Sequence, residues 1–141
     1  MTHRNMRLGQ LLAECFQLLL ESGVCPETSP REWVPLLLYL HRKGWLFASA
    51  GPDGHVNAVA CAYRVPNLSD QTTDVLPRIE RGGILYVPFY ASKARQRMTA
   101  LRLLRSYLKD NGARVREVAF HRLKDKRLKR FKVTKGGLVH V

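Results

Sequence analysis

A proline sits inside a hydrophobic, strand-length run, Ile84-Leu85-Tyr86-Val87-Pro88-Phe89-Tyr90, which opens directly after Gly82-Gly83. Proline has no backbone N–H, so it cannot complete a ladder on both sides of a strand. This strand is therefore expected to be an edge, bulged, or splayed from its neighbour at that point. The residues that follow restrict the choice. Ala94 to Asp110 reads as a helix with Met98, Leu101, Leu104 and Leu108 inward and arginines outward, ended by Asn111-Gly112. A second strand, Val115 to His121, comes next. Strand, helix and strand in succession imply an α/β layer architecture.

The first part of the chain has a different rhythm. Leu8, Leu11, Leu12, Cys15, Phe16 and Leu19 recur at helical spacing, with Glu14 and Glu21 off that stripe, so a first amphipathic helix is expected over Leu8–Leu20. Ser29-Pro30-Arg31-Glu32 supplies a capping hydroxyl, a proline at the first helical position and a capping-box carboxylate. A second helix should run from there to about Lys43, stopped by Gly44, with Pro35 kinking it or delaying its start. Trp45 to Ala50 and Val56 to Tyr63 flank the turn sequence Gly51-Pro52-Asp53-Gly54, a β-hairpin signal. Pro66 to Arg81 reads as a loop with room for a helical turn near Val75–Ile79. Beyond His121, Asp125 to Lys132 reads as a short basic helix anchored by Leu128 and Phe131, and Gly136-Gly137 separates it from a last strand, Leu138–Val141.

Charge is divided as sharply as pattern. Of the formal +13, residues 1–80 contribute −1, and residues 81–141 contribute +14 from seventeen Lys/Arg against three Asp/Glu. The second half should therefore face something anionic: a nucleotide or CoA phosphate cluster, nucleic acid, an acidic protein or an anionic membrane surface. The three cysteines, Cys15, Cys25 and Cys61, are not spaced as metal ligands and are expected as reduced thiols, with no bound metal. With 141 residues a single domain is expected. No stretch is long and apolar enough to span a bilayer, and the start lacks a signal-peptide core, so a soluble, cytoplasmic protein is expected.

The segment from Ile84 to Leu138 resembles the GNAT N-acetyltransferase superfamily. The family's pyrophosphate loop follows a central strand and reads Arg or Gln, two residues, Gly, one residue, Gly or Ala, then a leucine pair. Arg95-Gln96-Arg97-Met98-Thr99-Ala100 stands at that point, with Leu103-Leu104 at the family's offset and Met98 in place of the first glycine. A second signature, counted from Asp125, puts Leu128, Phe131-Lys132 and Gly136-Gly137 on its steps, with Lys132 where many members carry a tyrosine that protonates the leaving thiolate.

The resemblance implies a single-domain acyl-CoA N-acyltransferase fold over residues 1–141, a mixed, mostly antiparallel sheet flanked by helices, with two N-terminal helices. It implies acetyl-CoA as cosubstrate and an amine acceptor. Pro88 would mark the splay in which the pantetheine arm lies. Tyr90, Ala91, Lys93, Arg95, Gln96, Arg97, Met98, Thr99, Ala100 and Asp125 would bind the cofactor. Tyr86, Tyr90, His121 and Lys132 are the catalytic candidates, and Asp74 and Glu80 the loop carboxylates available to a cationic acceptor. The density of charge from Arg122 to Lys135 exceeds what one CoA needs. It favours the alternative, a GNAT-fold protein without catalysis that binds nucleic acid or an acidic partner.

Overall fold

The computed structural model describes residues 7–23, 30–68, 82–93, 98–111, 114–121, 127–134 and 137–140. Two helices lead, α1 (Leu8–Glu21) and α2 (Pro30–Arg42). On α1 the predicted stripe is the buried one: Leu11, Leu12, Cys15, Phe16 and Leu19 are inside, joined by Leu18, while Leu8 stays exposed. The helix stops where the Ser22 hydroxyl and amide both donate to the Leu18 carbonyl and Gly23 turns to φ +73°. On α2, Trp33, Leu37 and Leu40 form the inner face at i, i+4 and i+7. Pro35 lies inside the helix and neither ends it nor delays its start. Gly44, at φ +75°, closes it with a Schellman pair, its own N–H donating to the His41 carbonyl and that of Trp45 to Leu40.

The hairpin is β1 (Leu46–Ala50) paired antiparallel with β2 (Val56–Val65). Its turn is set by Gly54 at φ +80° and by the Asp53 carboxylate, which accepts from the His55 amide at 3.0 Å. Register slips by one residue between Ser49 and Ala50. β3 (Ile84–Ser92), α3 (Met98–Asn111) and β4 (Glu117–His121) make the expected strand–helix–strand unit, and β3 pairs parallel with β4. β5 (Leu128–Thr134) and β6 (Gly137–His140) complete a six-stranded sheet in the order β1-β2-β3-β4-β5-β6. The β4–β5 and β5–β6 pairs are antiparallel, so the sheet is mixed and mostly antiparallel.

One element differs from expectation. Residues 128–132 are not a helix but the first five residues of β5, paired with His121 through Glu117. Two physical reasons decide it. Phe131, Val133 and the partly covered Lys129 fall on one face at period two, and Phe131 stacks on Phe120 of β4 with ring centroids 5.6 Å apart and an 11° interplanar angle. Arg130 reaches Glu117 across the same pair of strands. A helix there would forfeit both contacts for one short, highly charged turn.

The chain divides into two compact units, Met1–Cys61 with Phe89–Leu104, and Ala62–Pro88 with Arg105–Val141. In the first, Trp33 meets Phe89 edge to face at 5.4 Å among the leucines of α1 and α2. The second is built on Tyr63, Val65, Leu85, Tyr86, Val87, Val118 and Ala119, with the Tyr63 and Tyr86 rings 6.0 Å apart. Cys15 and Cys61 are buried free thiols; Cys25 lies outside the described residues.

The start of β3 is the tightest point of the second unit. Gly82 sits at φ +146°, and a Cβ there would run into the Val65 carbonyl of β2. A Cβ on Gly83 would come within 2.7 Å of the Arg116 guanidinium, while the Gly83 carbonyl accepts from Arg116 N–H at 2.7 Å and Glu117 N–H at 3.2 Å. Only glycine fits at Gly82. Gly82→Ala should therefore destabilise by about 3 kcal/mol or more, lowering Tm by roughly 10 °C in a thermal melt. Gly9→Ala, in open space on α1, should leave Tm unchanged or slightly raised.

Candidate functional site

Four β3–β4 pairs lie among the described residues: Ile84↔Glu117, Leu85↔Val118, Tyr86↔Ala119 and Val87↔Phe120. The next β3 residue is Pro88, which has no N–H to give a partner, and β3 itself continues to Ser92. His121 is the last residue of β4, one position past the final pair.

The candidate residues distribute as follows. Tyr86 lies inside the ladder, 5% exposed, and burial pushes its phenol above the ordinary range, so it stays protonated at neutral pH. Tyr90 is among the exposed large side chains of the molecule, at 37%, and Ala91 beside it is buried. Lys93 follows β3 and donates its amide to the Asn57 carbonyl at 2.9 Å. Its ammonium stands 3.8 Å from the Asp53 carboxylate, an exposed pair of small energetic weight. Arg95, Gln96 and Arg97 lie outside the described residues, as do Asp74, Glu80 and Asp125. Met98, Thr99 and Ala100 form the first turn of α3.

Lys132 is not with this group. It pairs with Glu117, at the far end of β4 from Phe120, and on the other side with Val139. Three strand steps separate Glu117 from Phe120, on the order of 10 Å. The structure thus gathers Tyr86, Pro88 and His121 at one end of the ladder and sets Lys132 at the other.

Two polar constructions are absent from the sequence reading. Glu117 is the one buried charged side chain among the described residues. It accepts from Arg130 Nε at 2.6 Å and Nη2 at 3.1 Å, and these bonds, then the opposite charge, raise the Arg130 pKa. In the first unit, Glu14 of α1 reaches the hairpin. Its Oε1 accepts from the Val56 amide at 2.9 Å and lies 3.0 Å from His55 Nδ1, while Oε2 accepts from Gln10 at 2.8 Å. Burial alone would raise its pKa, but the Val56 amide, Gln10 and His55 outweigh it and the net shift is downward. A shallow recess beside it is lined by Glu14, Gln17, Glu21, His55, Val56 and Lys93. Periodicity shows Glu14 only as lying off the apolar stripe; nothing local foretells a partner 42 residues away.

No protein-family model matches the sequence, and no curated protein matches it. Solved structures do match the fold. The chain is similar to GphF, a GNAT-like decarboxylase in complex with isobutyryl-CoA, with 15% identity and TM-score 0.60, over 81% of this chain and 62% of that one. It is also similar to an acetyltransferase structure from Staphylococcus aureus Mu50, with 12% identity and TM-score 0.55, over 81% and 74%. A third similarity is to a GNAT family acetyltransferase from Brucella melitensis in complex with acetyl-CoA, with 16% identity and TM-score 0.50, over 82% and 71%. The architecture is that of the GNAT fold. The chain spans less than two thirds of the length of the first of these structures.

The electrostatic constructions carry two expectations. Because Glu14 is held below its ordinary value of 4.5, it contributes stability that is fully present above that pH and is lost as pH falls through the lowered value. Glu14→Gln should therefore have a shallower loss of Tm between pH 5 and pH 3 than the parent chain. Removing Arg130 strands a carboxylate whose side chain is only 9% exposed, whereas removing Glu117 leaves an arginine already 47% exposed. Arg130→Ala should therefore lower the urea midpoint more than Glu117→Gln does.

Proposed function

We propose that this chain is an acyl-CoA-dependent N-acyltransferase, with acetyl-CoA as donor and an amine as acceptor. The observation that carries the reading is the GNAT fold, with Pro88 of its β3 strand directly after the Val87↔Phe120 pair. On this reading an extended, amide-bearing arm such as pantetheine would lie along the C-terminal part of β3. The start of α3 supplies amides and a partial positive charge for the pyrophosphate. Arg95 and Arg97 of the preceding segment add full charges, and Lys93, Gln96, Met98, Thr99 and Ala100 complete the cradle by position. Structures of the same fold are described in complex with isobutyryl-CoA and acetyl-CoA, which supports the ligand class.

The reaction requires an unprotonated amine. Its nitrogen attacks the thioester carbonyl, the C–N bond forms, the C–S bond breaks, the amine proton passes to a base, and the departing sulfur takes up a proton. His121, at the end of β4, is the candidate base. Tyr86, kept protonated by burial, and Tyr90, near the solvent end of β3, are the two candidates for the proton that the thiolate receives.

Acetyl-CoA at about 100 times its Kd should stabilise the fold by roughly 2.7 kcal/mol, a Tm rise of several degrees at low salt. Arg95→Ala should abolish most of that shift. In a thiol-release assay against a panel of amines, His121→Ala should lower turnover at least tenfold with an unchanged acetyl-CoA shift. If neither CoA nor acetyl-CoA raises Tm, the reading is wrong. If they do and the His121→Ala and Tyr86→Phe variants turn over normally, the ligand stands and the residue roles fall.

A further inference from the structure

Three cations that the acyl-CoA reading does not use lie on α3. Arg102, Arg105, Ser106 and Lys109 are exposed, while Leu104 is buried and Leu103, Tyr107 and Leu108 are partly covered. At 3.6 residues per turn the three cations fall within an arc of roughly 60°, along about 10 Å of helix axis. They form one straight row with the apolar side chains opposite. The helix sequence Met98–Asn111 contains one acid, Asp110, so no carboxylate stands one turn before or after either arginine. Lys109, in the last turn, also complements the helix dipole; Arg102 and Arg105 lie too far from that end for it to explain them. A surface that only needs solubility mixes its signs.

We infer that the exposed row Arg102–Arg105–Lys109 of α3 is a docking surface for duplex DNA, engaged through its phosphates without sequence reading. Three features select this partner. The row is rigid and straight, and B-form DNA offers about one charge per 1.7 Å of axis, so a 10 Å line of cations faces several phosphates. The exposed helix face matches the width of the B-form major groove, which the narrow major groove of duplex RNA does not. The four described exposed members of the face, Arg102, Arg105, Ser106 and Lys109, are all polar, whereas a protein partner needs a desolvated apolar anchor at the centre of its interface. The surface lies along α3 beyond its first turn, so it is additional to the acyl-CoA reading rather than a part of it.

The test is fluorescence anisotropy with a labelled 20-base-pair DNA duplex across a salt series. Engagement of three phosphates predicts a slope of log K against log salt of about −2.7 or steeper. Arg105→Gln with Lys109→Gln, which keeps helix-forming side chains, should weaken binding at least tenfold and make the slope shallower by about 1.8. Arg31→Gln with Arg42→Gln removes the same charge from exposed positions of α2 and should change affinity less than twofold. Tm and helical circular dichroism of each variant exclude unfolding as the cause. The inference is overturned if the duplex does not bind, if the two double variants weaken it equally, or if polyglutamate or duplex RNA of matched length competes as well as duplex DNA.

Discussion

The Gly82-Gly83 step governs the second unit of this protein. There β3 enters so close to its neighbours that Val65 of β2 leaves no room for a Cβ on one side and Arg116 little on the other. The Gly83 carbonyl binds two successive amides of the segment entering β4, and that fixes the parallel register from Ile84↔Glu117 onward. Once the register is set, the place of Pro88 opposite β4 is set as well, because it comes four residues after Ile84. The candidate site inherits its place along the two strands from that count.

The same register places the polar groups. Glu117 is drawn inside as the first residue of β4, and its charge is met by Arg130 from the next strand. That pairing explains how a strand as basic as β5 can lie second from the sheet's end with none of its described side chains buried. Its even-numbered residues reach solvent, and its odd-numbered ones are half covered around the Phe120–Phe131 stack. In the first unit Glu14 plays a comparable part, tying α1 to the Val56 end of the hairpin. Each unit therefore uses one carboxylate to fix a long-range register that apolar packing alone would leave loose.

Much of this was legible in the sequence, and the residues show why. The apolar stripe of α1, the Gly44 stop of α2, the Pro-Asp-Gly turn and the strand–helix–strand unit all rest on local signals with strong physical causes. The failure at residues 128–132 has the opposite origin: Leu128 and Phe131 are spaced as a helix would space them, and the evidence for a strand, Phe120 and Glu117, is on another strand. Glu14–Val56 and Glu117–Arg130 were invisible for the same reason. With that segment a strand, Lys132 stands beside Glu117 at the start of β4.

The two described cysteines have a consequence for how an acyl group would travel on this scaffold. Burial pushes the Cys15 thiol to about 12, and it pushes that of Cys61 up as well. At neutral pH the Cys15 thiolate is a population on the order of one in 10⁵, and neither sulfur faces solvent. Thioesters exchange readily with ionised thiols, so a fold that holds one beside a reactive cysteine risks parking the acyl group on itself. Neither of these two sulfurs offers such a stop.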